Sequence, residues 1–265
     1  YLDGREGKTN IKNSDGSVNI EKVIGQQPDI VFAANATDPS IVRELRRAGL
    51  TVYHFGQVGD LDEIATNIET VGELVGSCEA ATREANEFRL DVRTVERAAE
   101  MADERPSVLY YFFGWTAGSD THIHDVIETA GGDNIGAEVG ISEYAEFSTE
   151  VAIEQNPDWI VYPSHASLPD SDAYNQTTAM KQGQTIELYA DYINQPGPRV
   201  AITLTQLAKQ WHPDALARAN ETTTMANVTT PNETATTQTS SSGPGFGAVL
   251  ALTALLAVTL LARRE

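Results

Sequence analysis

The stretch that most constrains this chain is residues 77–104, which read as one unbroken helix between two segments that resemble each other. Apolar or small side chains recur at Ala81, Ala85, Phe88, Val92, Val95 and Ala99, in alternating steps of four and three. Glu84, Glu87, Arg93, Glu96 and Arg97 fill the other faces, so the pattern is one buried stripe on a charged rod. Ser77 is placed to cap the rod with Glu79 in its first turn, and Pro106 bars the helical conformation at Arg105. At a rise of about 1.5 Å per residue the rod would span about 40 Å, enough to bridge two lobes.

The segments on either side share a grammar. Residues 1–17 are polar and read as loop; Asn19 then caps a short helix carrying Glu21, Val23 and Ile24 that ends before Pro28. A β-branched strand at 29–34, a helix at 38–48 closed by Gly49 and a strand at 50–55 make a β-α-β unit. Beyond the rod, a strand at 107–113, a loop at 114–119 and a helix at 122–130 ended by Gly131-Gly132 are expected. Ser148 then caps a helix with Glu150 in its first turn, stopped by Pro157-Asp158 before a strand at 159–162. Cap-x-Glu-x6-Pro-Asp thus occurs twice, offset by 129 residues, which suits two similar lobes rather than a solenoid. A loop at 164–171, a helix at 173–181, a strand at 185–189 and a closing helix at 199–209 complete the second lobe. The expected fold is α/β: two Rossmann-like lobes, 1–76 and 105–219, joined by one long helix.

A formal charge of -20 argues against nucleic acid, which needs clustered Lys and Arg, and there is no such cluster. The excess acid is compatible with a halophile, since at about 1 M salt the screening length falls to about 3 Å; an acidic docking face would give the same low isoelectric point. The single cysteine, Cys78, is read as a buried structural thiol. Residues 220–242 hold nine threonines and little that could form a core, a solvated stalk with glycosylation sequons at Asn220, Asn227 and Asn232; two more lie at Asn35 and Asn175. Residues 247–262 carry no charge, and extended back to Gly243 they reach the roughly 20 residues that cross a bilayer. Arg263 and Arg264 follow, which leaves everything before them outside the cell. Tyr1 is not an initiator methionine, so a removed leader or a fragment is expected.

In this order and spacing the chain resembles the substrate-binding proteins of ABC importers that carry corrinoids, siderophores and haem, the group with a rigid helix between two lobes. The likeness rests on Val18-Asn19-Ile20-Glu21 with Pro28-Asp29-Ile30-Val31, and on Gly131-Gly132-Asp133-Asn134-Ile135. Phe147-Ser148-Thr149-Glu150 with Asn156-Pro157-Asp158, and Asp191-Tyr192 with Pro196-Gly197-Pro198-Arg199, extend it. Family members begin their first lobe with a strand, a helix and another strand before the segment matching Val18, so the first lobe here reads as incomplete. Residues 243–265 resemble an archaeal sorting signal: Pro244-Gly245-Phe246, an apolar span, and Arg263-Arg264. In proteins with that signal the span is cleaved and replaced by a lipid, which implies an anchored mature protein on the outer face of the plasma membrane.

The resemblance implies roles for particular residues. Glu21 and Glu150 match the glutamates, one per lobe, that pair with permease arginines; the residue-level alternative is that each stabilises its own helix N-terminus. Trp115, Tyr144 and Tyr192 fall at loop positions where the family places aromatics around a flat macrocycle or chelate, and each alone could equally be a packing residue. Ala34 occupies a position where cobalamin binders can carry an aromatic, which weighs against a corrinoid; corrinoid and iron chelate are not separated by these residues. His122 and His124 are too poorly spaced on a helix for a metal site and are read as exposed imidazoles beside a cap, with His54, His165 and His212 structural or solvent-facing. The expected partners are an ABC permease and its ATPase, with a monomeric receptor, no resident cofactor and no chemistry of its own. The competing reading, an enzyme such as a metal-dependent hydrolase, finds no nucleophile elbow, phosphate-cradling loop or zinc signature in this sequence. A surface or adhesive glycoprotein fits the stalk and sequons but leaves the two β-α-β lobes unexplained.

Overall fold

The computed structural model describes the backbone of residues 7–229 and the side chains of residues 7–223. The Asn19 side chain accepts the Lys22 N–H at 2.9 Å and starts α1 (Ile20–Gly25). Strand β1 (Val31–Ala33), helix α2 (Pro39–Arg47, capped by Asp38) and strand β2 (Val52–His54) follow, the two strands lying parallel with Val31 opposite Val52. The expected β-α-β unit is present. Its small core is Val23, Ala33, Val42, Leu45 and Val52, a cluster separate from the rest of the molecule's buried side chains.

Helix α3 (Leu61–Leu74), which sequence reading missed, is capped by Asp60 through the Glu63 N–H at 2.7 Å and doubles back onto α4 (Cys78–Glu100). The two approach so closely that a Cβ at Gly72 would collide with Ala81. Arg89 grips both carboxylate oxygens of Glu69, at 2.8 and 3.0 Å, to fix their register. The stripe on α4 buries Ala81, Ala85, Phe88 and Val95 as expected, with Ala98 deeper than Ala99. Three details differ from the sequence reading. Ser77 makes no side-chain cap bond, the helix ends at Glu100, and Cys78, expected to be buried, is exposed one turn before the buried stripe begins at Ala81. Phe88, Val95 and Ala98 also join the larger core of the second lobe, so the C-terminal half of α4 is seated on that lobe rather than standing free between two.

The second lobe is built around β3 (Ser107–Tyr110), β5 (Asp133–Asn134), β7 (Trp159–Pro163) and β8 (Thr185–Leu188), a parallel sheet in the order β5-β3-β7-β8. Strand β3 is buried on both faces. Val108 and Tyr110 pack with Val200, Leu204 and Leu207 of α10 (Val200–Trp211), while Leu109 packs with Ile135, Ile160 and Ala179 on the other side. Period-two alternation on a central strand gives this three-layer arrangement. Helices α5 (His122–Thr129), α6 (Ile135–Glu138), α7 (Thr149–Gln155), α8 (Thr178–Gln182) and α9 (Ala190–Ile193) fill the connections. The expected loop at 114–119 instead contains β4 (Trp115–Ala117), which pairs antiparallel with β6 (Tyr144–Glu146).

Helix α11 (Pro213–Thr229) corrects the expected stalk: Asn220 and Asn227 lie on a helix that packs against α4, with Arg97 donating to Thr223 Oγ1 at 3.0 Å. The remainder of the stalk with Asn232, and the sorting signal with Pro244, Gly245 and Phe246, lie outside the described residues. Among the described residues no helix is long and apolar enough to cross a membrane. Of the upstream sequons, Asn35 is exposed in a turn, whereas the Thr177 of the Asn175 sequon is buried and bonded to Tyr174 O at 2.7 Å.

Candidate ligand-binding site

Parallel strands bring their C-terminal ends to one edge, where the following loops can face a ligand. Past β3 the chain reverses sharply: Phe112 N–H donates to Trp115 O at 2.9 Å and Trp115 N–H to Phe112 O at 2.8 Å. Phe113 and Gly114 form the two-residue turn between them, with φ of 48° and 87°, the signature of a type I′ hairpin. In the β4–β6 ladder Trp115 lies opposite Glu146 and Ala117 opposite Tyr144. Residues two apart on a strand share a face, so Trp115 and Tyr144 are diagonal neighbours on one side.

They border a hollow of about 400 Å³ lined by Tyr110, Phe112, Trp115, Tyr144 and Asn194. Trp115 and Tyr144 are 42% and 44% exposed, an unusual display for such large rings. Tyr110 is buried and donates its hydroxyl to Asn194 Oδ1 at 3.0 Å. Burial pushes the Tyr144 phenol up to about 12 and, with Tyr144 beside it, holds Tyr110 above the usual tyrosine range. Both therefore stay neutral, and no side chain lining the hollow carries a charge. Such a surface suits a flat, apolar-faced molecule with neutral hydrogen-bonding edges.

Phe112 continues the wall outward, edge-on to Phe113 at 5.1 Å and to His165 at 5.3 Å between ring centroids. Tyr192 does not line the hollow. It packs edge-on to Tyr189 at 4.8 Å, with the Arg199 guanidinium 5.5 Å from its ring centroid. The three aromatics singled out by sequence are therefore split, two in the hollow and one beside it. Tyr110, Phe112 and Asn194 were missed. The alternation of Tyr110 and Phe112 with Leu109 and Tyr111, which enter the opposite core, was the available signal for the first two.

A larger hollow of about 780 Å³ opens at the opposite edge, among Pro106, Asp158 and Gln184, which precede the strands. Its Arg105 is already paired with Glu128 at 2.7 Å and Asp133 at 2.6 Å, and Arg218 donates to Met101 O at 3.3 Å. Cations so engaged have little left for a ligand, and the aromatic hollow at the C-terminal strand ends is the stronger site. The first lobe adds Phe32, Tyr53 and Phe55, three mutually packed rings at centroid distances of 4.9 to 6.2 Å near the ends of β1 and β2.

Glu21 and Glu150 are both exposed in the first turns of α1 and α7. His122 and His124 are not the exposed imidazoles expected, whereas His212 is structural. His122 is buried with Nε2 2.7 Å from Ile193 O, and burial lowers its pKa; the carbonyl can only accept, so Nε2 carries the proton. His124 is half-buried against Asn134, and His212 is buried against Gly131 O at 3.0 Å. Among the described residues no group of three or more His, Cys, Asp or Glu could hold a metal ion. The first-lobe linker meets the second lobe where Asp125 Oδ2 accepts the Leu61 N–H at 2.7 Å and Gln57 donates to Asp120 O at 3.3 Å.

Comparison with known proteins bears on this geometry. Residues 9–192 match the model of a periplasmic binding protein family, and residues 243–265 match a PGF-CTERM motif. A cobalamin-binding protein of Halobacterium salinarum is 33% identical over all of this chain and 75% of its own length. Among solved structures, a periplasmic haem-binding protein from Roseiflexus superposes with a TM-score of 0.68 at 25% identity, over 76% of this chain and 81% of that one. A periplasmic vitamin B12-binding protein of Vibrio cholerae superposes at 0.62 with 26% identity, over 80% and 81%.

Proposed function

The chain belongs to the periplasmic binding protein family, and from that premise we propose that it captures a corrinoid outside the cell and hands it to an ABC permease. It is a transport receptor and not an enzyme, working with a permease and its ATPase. The PGF-CTERM motif is that of an archaeal cell-surface anchor.

The observation that carries the corrinoid reading is the uncharged lining of the aromatic hollow. Haem brings two carboxylates that need cationic or strongly donating partners, and this protein has a formal charge of -20. A corrin ring edged with neutral amides meets Tyr110, Tyr144 and Asn194 without a desolvated charge. The relative named for cobalamin, which matches over the whole of this chain, supports the same choice. Two-lobed capture, with Trp115 and Tyr144 on one side of the ligand and the first lobe on the other, extends this reading, as does docking through Glu21 and Glu150.

The test is titration of the full chain with cyanocobalamin, haemin and a ferric hydroxamate, followed by quenching of tryptophan fluorescence. Saturable binding is expected for cyanocobalamin, at least tenfold tighter than for the other two. Tighter binding of haemin would overturn the corrinoid assignment, and no binding of any of the three would overturn the receptor reading.

A further inference from the structure

We propose that Phe113 is a ligand-gripping residue, held at the tip of the Phe112–Trp115 hairpin to lay its ring on the exposed face of a bound macrocycle. The inference deepens the proposed function and rests on it.

The argument begins with backbone conformation. Among the described residues only Gln27, Phe113 and Asn156 are non-glycine residues with positive φ. Gln27 and Asn156 occupy equivalent places in the duplicated unit, each directly before its Pro-Asp, where a left-handed residue breaks the preceding helix. Phe113 has no counterpart in the repeat. A type I′ turn asks for Asn, Asp or Gly at its first central position, and a bulky aromatic is among the least suited residues.

No core burial in the unliganded molecule offsets that choice. Phe113 is 56% exposed, the most exposed of the large apolar side chains among the described residues. The ring touches Phe112 at 5.1 Å and His165 at 5.9 Å, edge-on or tilted, and so keeps its position without entering a core. At Gly114, the other turn residue, even an added Cβ would meet no atom within 4 Å, so the tip projects into open space. An outlier backbone that displays an apolar ring beside a cavity is the pattern in which strain is retained for binding.

Its position selects the ligand class. Phe112 belongs both to the hollow's lining and to the Phe112–Phe113–His165 group, so Phe113 prolongs the wall made by Tyr144, Trp115 and Phe112 beyond the 400 Å³ hollow. That hollow is too small to enclose a ligand of corrin size, and a wall that continues past it fits a broad flat ring lying partly outside. A compact ligand held within the hollow would never reach Phe113.

The test uses the full chain with Phe113→Gly and Phe113→Tyr. Glycine removes both the ring and the backbone cost, so the unliganded melting temperature should stay level or rise by about 2–4 °C. Its affinity for cyanocobalamin should fall roughly tenfold, while Phe113→Tyr should stay within about threefold of wild type. A glycine variant that binds as tightly as wild type overturns the proposal, and so does one whose unliganded melting temperature drops by several degrees, since the ring would then be structural. If wild type binds none of cyanocobalamin, haemin and the ferric hydroxamate, the receptor reading falls and takes this one with it; if wild type binds and the variants do not differ, this inference alone falls.

Discussion

Gln27 and Asn156, 129 residues apart, adopt the same left-handed backbone, with φ of 47° and 45°, each immediately before a Pro-Asp pair that leads into a parallel strand. The duplicated spacing in sequence is therefore a duplicated conformation. The two sites differ in what their side chains do. Asn156 is bonded both ways to Thr178, its Oδ1 accepting the Thr178 N–H and its Nδ2 donating to Oγ1, each at 2.8 Å, so it also starts α8. Asn156→Ala should cost about 1–2 kcal/mol by loss of that cap and by left-handed strain, whereas Gln27→Gly should stabilise by a few tenths to about 1 kcal/mol. Urea denaturation of the two variants checks the signs; a stabilising Asn156→Ala would contradict the shared role.

Trp115 and Tyr144 share one face of the β4–β6 ladder and border the same hollow, and Tyr192 does not. Trp115→Ala and Tyr144→Ala should each weaken cyanocobalamin binding at least tenfold, Trp115 more, as large exposed aromatics that become buried dominate recognition. Tyr192→Ala should change affinity less than threefold. Calorimetric titration would reveal the ranking, and a Tyr192 effect equal to that of Trp115 would move the site toward α9.

How much of this was legible in the sequence follows from where each constraint comes from. The α4 stripe, the caps at Asn19 and Ser148 and the paired β-α-β signals are local, and local patterns survive into the fold. Helix α3 was equally local and equally legible, with Asp60 as cap and Ile64, Ala65 and Ile68 in helical register. The three-residue strand β4 was not legible, because nothing but its partner β6, nearly thirty residues away, makes it a strand. The burial of His122 depends on the Ile193 carbonyl, 71 residues distant, and sequence spacing carries no trace of that. The exposed Cys78 shows the opposite failure: its burial was expected from the habit of its residue type, and it lies one turn before the buried stripe begins.

Glu21 and Glu150 occupy the same position in equivalent helices, two residues after a cap, and both point out of the folded chain. A pair of exposed carboxylates on separate lobes can recognise a symmetric pair of cations on a transporter. Glu21→Arg combined with Glu150→Arg should abolish cobalamin uptake in a reconstituted transporter while leaving the receptor's affinity within about twofold. Each single reversal should reduce uptake partially. If both reversals leave uptake intact, the carboxylates serve only their own helix termini, where exposed charges contribute little.

Asp125 ties the first-lobe linker to the second lobe through the Leu61 N–H, yet it sits among like charges. Burial raises its pKa, Asp60 and Asp62 add to the rise, and the Leu61 hydrogen bond and His124 oppose it; Glu96 is raised in the same way by burial, Asp125 and Asp62. A folded pKa above the ordinary aspartate value of about 3.9 means that this group's stabilisation is present below that value and is lost as pH rises through the folded pKa. His122 acts in the opposite sense: its folded pKa is depressed by burial, so stability falls as pH drops below about 6.5 and the unfolded chain takes the proton first. Asp125→Asn keeps an oxygen to accept the Leu61 N–H and removes the repulsion. It should raise the melting temperature at neutral pH, the gain vanishing below about pH 4 and shrinking only in part in molar salt, since screening over about 3 Å removes the repulsion from Asp60 and Asp62 but not the cost of burying the charge. His122→Gln, which retains a donor for Ile193 O, should flatten the loss of stability below about pH 6.5 while leaving the neutral-pH salt dependence unchanged. Melting curves over pH at two salt concentrations separate the two groups, and an Asp125→Asn gain that persists at pH 3.5 would show that its carboxylate is not the source of the strain.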